Sequence, residues 1–206
     1  MADITATNSH AAAHHTSWIV PFERNPRFTG RGSQLAQLEE KLFSKDYTTK
    51  IAITGLGGVG KTQLVLELLY RTKGKYKQYL IIWIPVTNTE SLHQAYLDVA
   101  RQLGIPGLEE EKADVKRLVQ GYLSNDNVGQ WLLVFDNADD IDMWIAKPGS
   151  GSGSAQGSGG LIDYLPRSKQ GSIVFTTRDR KTAVKLAQEN VVEVQEMNEE
   201  LSVLLL

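Results

Sequence analysis

The chain alternates between short, uniformly apolar runs and longer stretches in which apolar residues recur every three or four positions. Five runs are of the first kind: "KIAIT" (50–54), "YLIIWIP" (79–85), "WLLVFD" (131–136), "SIVFTT" (172–177) and "VVEV" (191–194). They are short, and most are rich in β-branched or aromatic residues, which predicts strands buried on both faces. The stretches between them carry helical stripes. Leu35, Leu38 and Leu42 share one face, with Ser33 placed as an N-cap. Residues 61–73 and 179–188 read as helices. Leu92, Ala95, Tyr96, Val99 and Leu103 recur at helical spacing before Gly104, a natural stop, and Val115, Leu118, Val119 and Tyr122 form another stripe. Strands alternating with helices predict an α/β fold with a parallel sheet covered on both faces.

Composition narrows the class. A chain of 206 residues can bury a full core as one domain, and 41% hydrophobic with 22% charged residues is ordinary for a soluble protein. The net charge of −2, without a basic block, argues against nucleic acid as a partner. Cysteine is absent, which excludes disulfides and thiolate metal sites and suits a reducing compartment. No apolar run reaches membrane-spanning length and no signal peptide is evident, so the expectation is a cytoplasmic protein without a membrane partner. Residues 1–17 are small, polar and aperiodic and read as a disordered tail or linker. It holds His10, His14 and His15, better read as solvated than as a metal site. Residues 147–160, "KPGSGSGSAQGSGG", read as a flexible insertion; glycine makes an anion site only when held at a helix N-terminus.

That condition is met at "GLGGVGKT", Gly55 to Thr62, which matches G-x-x-x-x-G-K-[ST] between a predicted strand and a predicted helix. Glycines let backbone N–H groups turn inward around phosphates, and the helix start adds partial positive charge. Lys61 should reach the β- and γ-phosphates, its ammonium facing solvent until it does, and Thr62 should place its hydroxyl on Mg²⁺. "WLLVFD" then reads as the strand whose terminal Asp136 holds the same ion. "GSIVFTTRDR" ends a third strand in Arg178, facing the ligand crevice at the carboxyl edge of the sheet.

"ITGLGGVGKTQL", "WLLVFDNADD" and "GSIVFTTRDR", in this order and spacing, resemble the NB-ARC domain of the STAND class of signalling NTPases. That family includes plant disease-resistance proteins, the animal apoptosome scaffold and fungal NOD-like receptors, and the wording here looks most like the fungal branch. The resemblance covers roughly residues 20–200. It implies a P-loop NTPase three-layer sandwich with a five-stranded parallel sheet in the order 5-1-4-3-2. It also implies ADP or ATP with Mg²⁺ as ligands and a role in innate immunity and programmed cell death. Nucleotide would be held by Gly55, Leu56, Gly57, Gly58, Val59, Gly60, Lys61, Thr62 and Gln63, with Phe28, Thr29, Gly30 and Arg31 along adenine and ribose. Arg178 would tell ATP from ADP, and Thr62 and Asp136 would hold the metal.

Two departures from the family pattern matter. Plant members usually carry a second acid after the strand-ending aspartate, whereas Asn137 stands here, and an amide takes no proton from an attacking water. Asp139 and Asp140 are the candidate bases, able to act only if the turn brings one back to the γ-phosphate. The chain also ends at "MNEELSVLLL", before the family's helical and winged-helix subdomains, so residues 18–206 read as a truncated NB-ARC domain. The expectation is a nucleotide switch, ADP-bound at rest and ATP-bound when active, with weak ATPase activity at most. Such a fragment would be monomeric, homo-oligomers belonging to the full-length activated receptor. The competing readings are a working ATPase of the AAA+ or ABC kind and a P-loop kinase, which lacks a recognisable lid.

Overall fold

The computed structural model describes residues 18–42, 47–145 and 160–196. Of the segments singled out in the sequence, the tail at 1–17, nearly all of the Gly/Ser insertion and the final "MNEELSVLLL" lie outside the described residues. The elements run β1 (Trp18–Ile19), α1 (Gly32–Leu42), β2 (Thr49–Thr54), α2 (Lys61–Lys75), β3 (Leu80–Pro85), α3 (Thr89–Gln102), α4 (Val115–Leu123), β4 (Trp131–Asp136), α5 (Ile141–Trp144), β5 (Gly171–Thr177), α6 (Arg180–Ala187) and β6 (Val191–Glu193). All strand pairs are parallel, and the described sheet has six strands in the order β1-β3-β4-β5-β2-β6.

The five expected strands stand in the expected order, and the count is corrected by one. The extra strand, β1, is two residues long and pairs Trp18 with Ile81 and Ile19 with Ile82 at the edge. It is too short to leave a periodic signal. Side-chain contacts hold it: Trp18 lies 4.8 Å from the Tyr70 ring, with the Lys73 ammonium 4.3 Å from its own ring centre.

Alternation along the strands divides the core into two layers around the sheet. Ile51, Ile53, Ile81, Trp83, Leu132, Val134 and Val174 pack against Leu35, Leu38 and Leu42 of α1 and Leu64, Val65, Leu68 and Leu69 of α2. Ala52, Ile82, Ile84, Leu133, Phe135, Ile173 and Phe175 point the other way, onto α3, α4, α5 and α6. The result is the three-layer sandwich expected, with every central strand covered on both faces. Helix starts are specified locally. Asn88 caps α3 in a reciprocal box with Ser91, Asp114 caps α4, and Asp179 caps α6 through the Thr182 N–H and hydroxyl. Ser33 is not the N-cap it was expected to be; α1 begins at Gly32, and the Ser33 hydroxyl donates to Gln34.

A candidate nucleotide site at the carboxyl edge of the sheet

Parallel register brings three strand ends to one edge. Thr54 pairs with Thr177, and Phe135 pairs with Phe175, so Asp136 falls beside Thr176. The glycine-rich loop follows β2, Asp136 closes β4, and Arg178 follows β5. The loop's shape depends on residues without side chains. Gly58 (φ 82°) and Gly60 (φ 89°) are left-handed, and a Cβ on Gly55 would lie 2.2 Å from the Val194 carbonyl oxygen. Gly60 leads directly into α2, whose first residues are Lys61 and Thr62.

Lys61 is buried, at 8% exposure, and its ammonium donates to the carbonyls of Gly55 (2.7 Å) and Leu56 (2.8 Å). The expectation of a solvent-facing ammonium is therefore wrong. The loop that curls its N–H groups one way also turns two carbonyls toward the helix start, and these capture the lysine. Burial lowers its pKa, opposed by the negative charges of Asp139 and Asp136, with Arg178 lowering it further.

Asp136 is also buried, and burial raises its pKa. Hydrogen bonds oppose that shift. The Thr176 hydroxyl donates to Oδ1 at 2.5 Å, and the Thr62 hydroxyl lies 3.2 Å from Oδ1 and 3.4 Å from Oδ2. Thr62 and Asp136 thus face each other across the start of α2, as the sequence motifs required. Thr176 was noted only as part of its strand. Its role follows from register, which the motif does not encode.

After Asp136 the chain turns sharply. Asn137 is left-handed (φ 63°), a conformation that suits asparagine better than most residues, and its N–H donates to the Thr176 hydroxyl at 2.9 Å. The Ala138 N–H donates to the Thr176 carbonyl at 2.7 Å. This folds Asp139 back onto β5, where Oδ1 accepts from the Thr177 hydroxyl (3.0 Å) and the Arg178 N–H (2.6 Å), and Oδ2 lies 3.3 Å from Arg178 Nε. Asp140 is used differently: it caps α5 by accepting from the Asp142 N–H. The Arg178 guanidinium is largely exposed and lies over the loop, 3.9 Å from where a Gly57 Cβ would be. A cleft of about 450 Å³ beside it is lined by Gly55, Leu56, Val59, Arg178, Arg180 and Glu193, among others.

The segment before α1 reaches the same edge. Arg24 forms a two-pronged ion pair with the buried Glu67 of α2 (2.9 and 2.8 Å), and the Tyr70 hydroxyl donates to the Phe22 carbonyl. Phe28 packs on the α1–α2 layer, Gly30 and Arg31 are left-handed, and Arg31 donates to the Val59 carbonyl at 3.0 Å. Residues 28–31 therefore abut the phosphate loop, and Gln63 lies exposed in the first turn of α2. Among the described residues no helix is long and apolar enough to cross a membrane.

A glycine loop between a strand and a helix, with a lysine and threonine at the helix start and an aspartate ending a neighbouring parallel strand, defines a P-loop NTPase fold. Solved structures share it. Cdc6p of Pyrobaculum aerophilum is similar over 85% of this chain and 48% of its own, with a TM-score of 0.54 at 18% identity. A Walker-type ATPase of Pyrococcus abyssi is similar over 90% of this chain and 59% of its own, with a TM-score of 0.54 at 16% identity. The NB-ARC domain family model matches residues 31–155, and the chain belongs to that family. A nucleotide-binding leucine-rich repeat (NLR)-like protein of the fungus Hyaloscypha variabilis is 42% identical over 206 residues, 98% of this chain and 20% of that protein. Disease resistance RPP13-like protein 4 of Arabidopsis thaliana is 26% identical over 172 residues, 82% of this chain and 18% of that protein. The chain spans about a fifth of the length of these curated relatives.

Proposed function

We propose that this domain is the adenine-nucleotide switch of a NOD-like signalling receptor, resting with ADP, oligomerising with ATP, and hydrolysing ATP slowly or not at all. The observation that carries the reading is the meeting of Lys61, Thr62, Asp136 and Arg178 at one sheet edge where, among the described residues, the positions that follow Asp136 offer no unengaged carboxylate. Asn137 is an amide, both Asp139 oxygens face Arg178 or Thr177, and Asp140 caps α5. A base must reach the proton it takes: Asp140 is committed to its helix, and Asp139 would first have to give up the Thr177 and Arg178 groups that hold it.

The residues suit Mg²⁺ and a nucleotide. Thr62 and Asp136 would hold the ion, which neutralises phosphate charge when bound. One carboxylate and one hydroxyl leave the remaining positions to phosphate and water, as Mg²⁺ prefers. Lys61 is already aimed along the loop, held by carbonyls it can exchange for phosphate oxygens. Arg178, over Gly57 of the loop, would reach a terminal phosphate, and residues 28–31 beside Val59 would flank the base and ribose. The fungal NLR-like and plant disease-resistance relatives support a role in innate immunity within a longer receptor, with programmed cell death the output expected of such a switch.

Titration with Mg²⁺ and ATP, ADP or GTP tests this reading. Adenine nucleotides should bind and GTP should not, and Arg178→Ala should weaken ATP more than ADP. Equal loss for both nucleotides would remove Arg178 from the terminal-phosphate role.

A further inference from the structure

We infer that Asp139 is an internal competitor for the terminal phosphate: by holding Arg178, its carboxylate sets how strongly the domain prefers ATP over ADP. This rests on the reading of Arg178 as the terminal-phosphate contact. The left-handed turn at Asn137 and the bond from Ala138 to β5 deliver Asp139 to the end of that strand rather than to solvent. There it makes three contacts, with the fully buried Thr177 through its hydroxyl, with the Arg178 N–H at 2.6 Å, and with Arg178 Nε at 3.3 Å. The first two fix the carboxylate. The third is an ion pair to a guanidinium that lies over Gly57 of the phosphate loop.

The guanidinium ends of an exposed arginine can swing, whereas Asp139 is pinned by Thr177 and the backbone. A γ-phosphate must draw Arg178 from Asp139 and approach a fixed like charge, while a diphosphate ends short of both. The carboxylate thus penalises ATP and leaves ADP nearly untouched.

The test removes the charge and keeps the acceptor. In Asp139→Asn the amide oxygen can still accept from the Thr177 hydroxyl and the Arg178 N–H. Dissociation constants for ATP and ADP in Mg²⁺ would be measured for the unaltered protein, Asp139→Asn, Arg178→Ala and the double variant. Asp139→Asn should shift the ratio of the two constants toward ATP by about fivefold or more, and the shift should vanish when Arg178 is absent. An unchanged ratio, a shift of equal size without Arg178, or a selective loss of ATP affinity would each overturn the competition. If the unaltered protein binds neither nucleotide, the functional reading fails and takes this inference with it. If it binds both and Arg178→Ala loses ATP selectively while Asp139→Asn is silent, the competition alone fails. Should Asp139→Asn not fold, Asp139→Ser keeps a short acceptor and reads the same ratio.

Discussion

Thr176→Val is a near-isosteric change that isolates one hydroxyl under the site. Thr176 is 1% exposed; its hydroxyl donates to Asp136 and accepts from the Asn137 N–H. A hydrogen bond to a charged group contributes about 1.5–3 kcal/mol and a neutral one about 1 kcal/mol. Asn137 is exposed and its N–H is partly recovered by water, so the expected loss near neutral pH is about 2–3 kcal/mol. Its pH dependence carries the diagnosis. Burial already holds the folded-state pKa of Asp136 above the ordinary carboxylate range, so the folded protein binds that proton more tightly than the unfolded chain, and stability from this group rises on acidification. Thr176 opposes the shift, so valine raises the folded pKa further. The variant's deficit is complete above that pKa and shrinks as pH falls through it, leaving roughly 1 kcal/mol from the Asn137 N–H. Urea denaturation of both proteins from about pH 8 down to about pH 4, the ordinary aspartate range, reads this directly. A loss below about 0.5 kcal/mol, or one that does not change with pH, would refute the coupling between Thr176 and Asp136.

Gly55→Ala should destabilise the domain by roughly 2–3 kcal/mol and loosen β6, because the new methyl meets a backbone carbonyl that cannot rotate away; thermal denaturation and amide exchange at Val194 would show it. Lys61→Ala should weaken ATP at least tenfold, and it should speed amide exchange in residues 55–60, since the lysine ties two loop carbonyls. ATP affinity unchanged within twofold would remove Lys61 from the phosphate site. Asn137→Asp should raise single-turnover ATP hydrolysis by about tenfold to a hundredfold, at or below the ~10²-fold low end for a positioned base. The left-handed backbone there accepts aspartate, and no increase would mean that slow turnover has another cause.

Most of the architecture was legible because it rests on signals local in sequence. Apolar runs and the Leu35–Leu38–Leu42 stripe announce buried strands and α1, and the glycine motif carries its strand–helix context with it. The order of the strands was not local information; it came with the family resemblance. What stayed hidden depends on contacts between distant residues. β1 exists because Trp18 packs on Tyr70, and the four-residue α5 because Asp140 caps it and Trp144 packs between Phe135 and Phe175. The site shows the same division. Lys61, Thr62 and Asp136 could be placed by type and spacing. The burial of Lys61, the use of Thr176 and the capture of Arg178 by Asp139 follow from a loop's curl, a register and one left-handed residue.

The central claim is that this edge holds adenine nucleotide as a stored ligand. The most direct measurement is to release bound nucleotide from the purified protein with acid and identify it. Near-stoichiometric ADP is the predicted result. A guanine nucleotide, or none after purification in Mg²⁺ with added ADP, would contradict it.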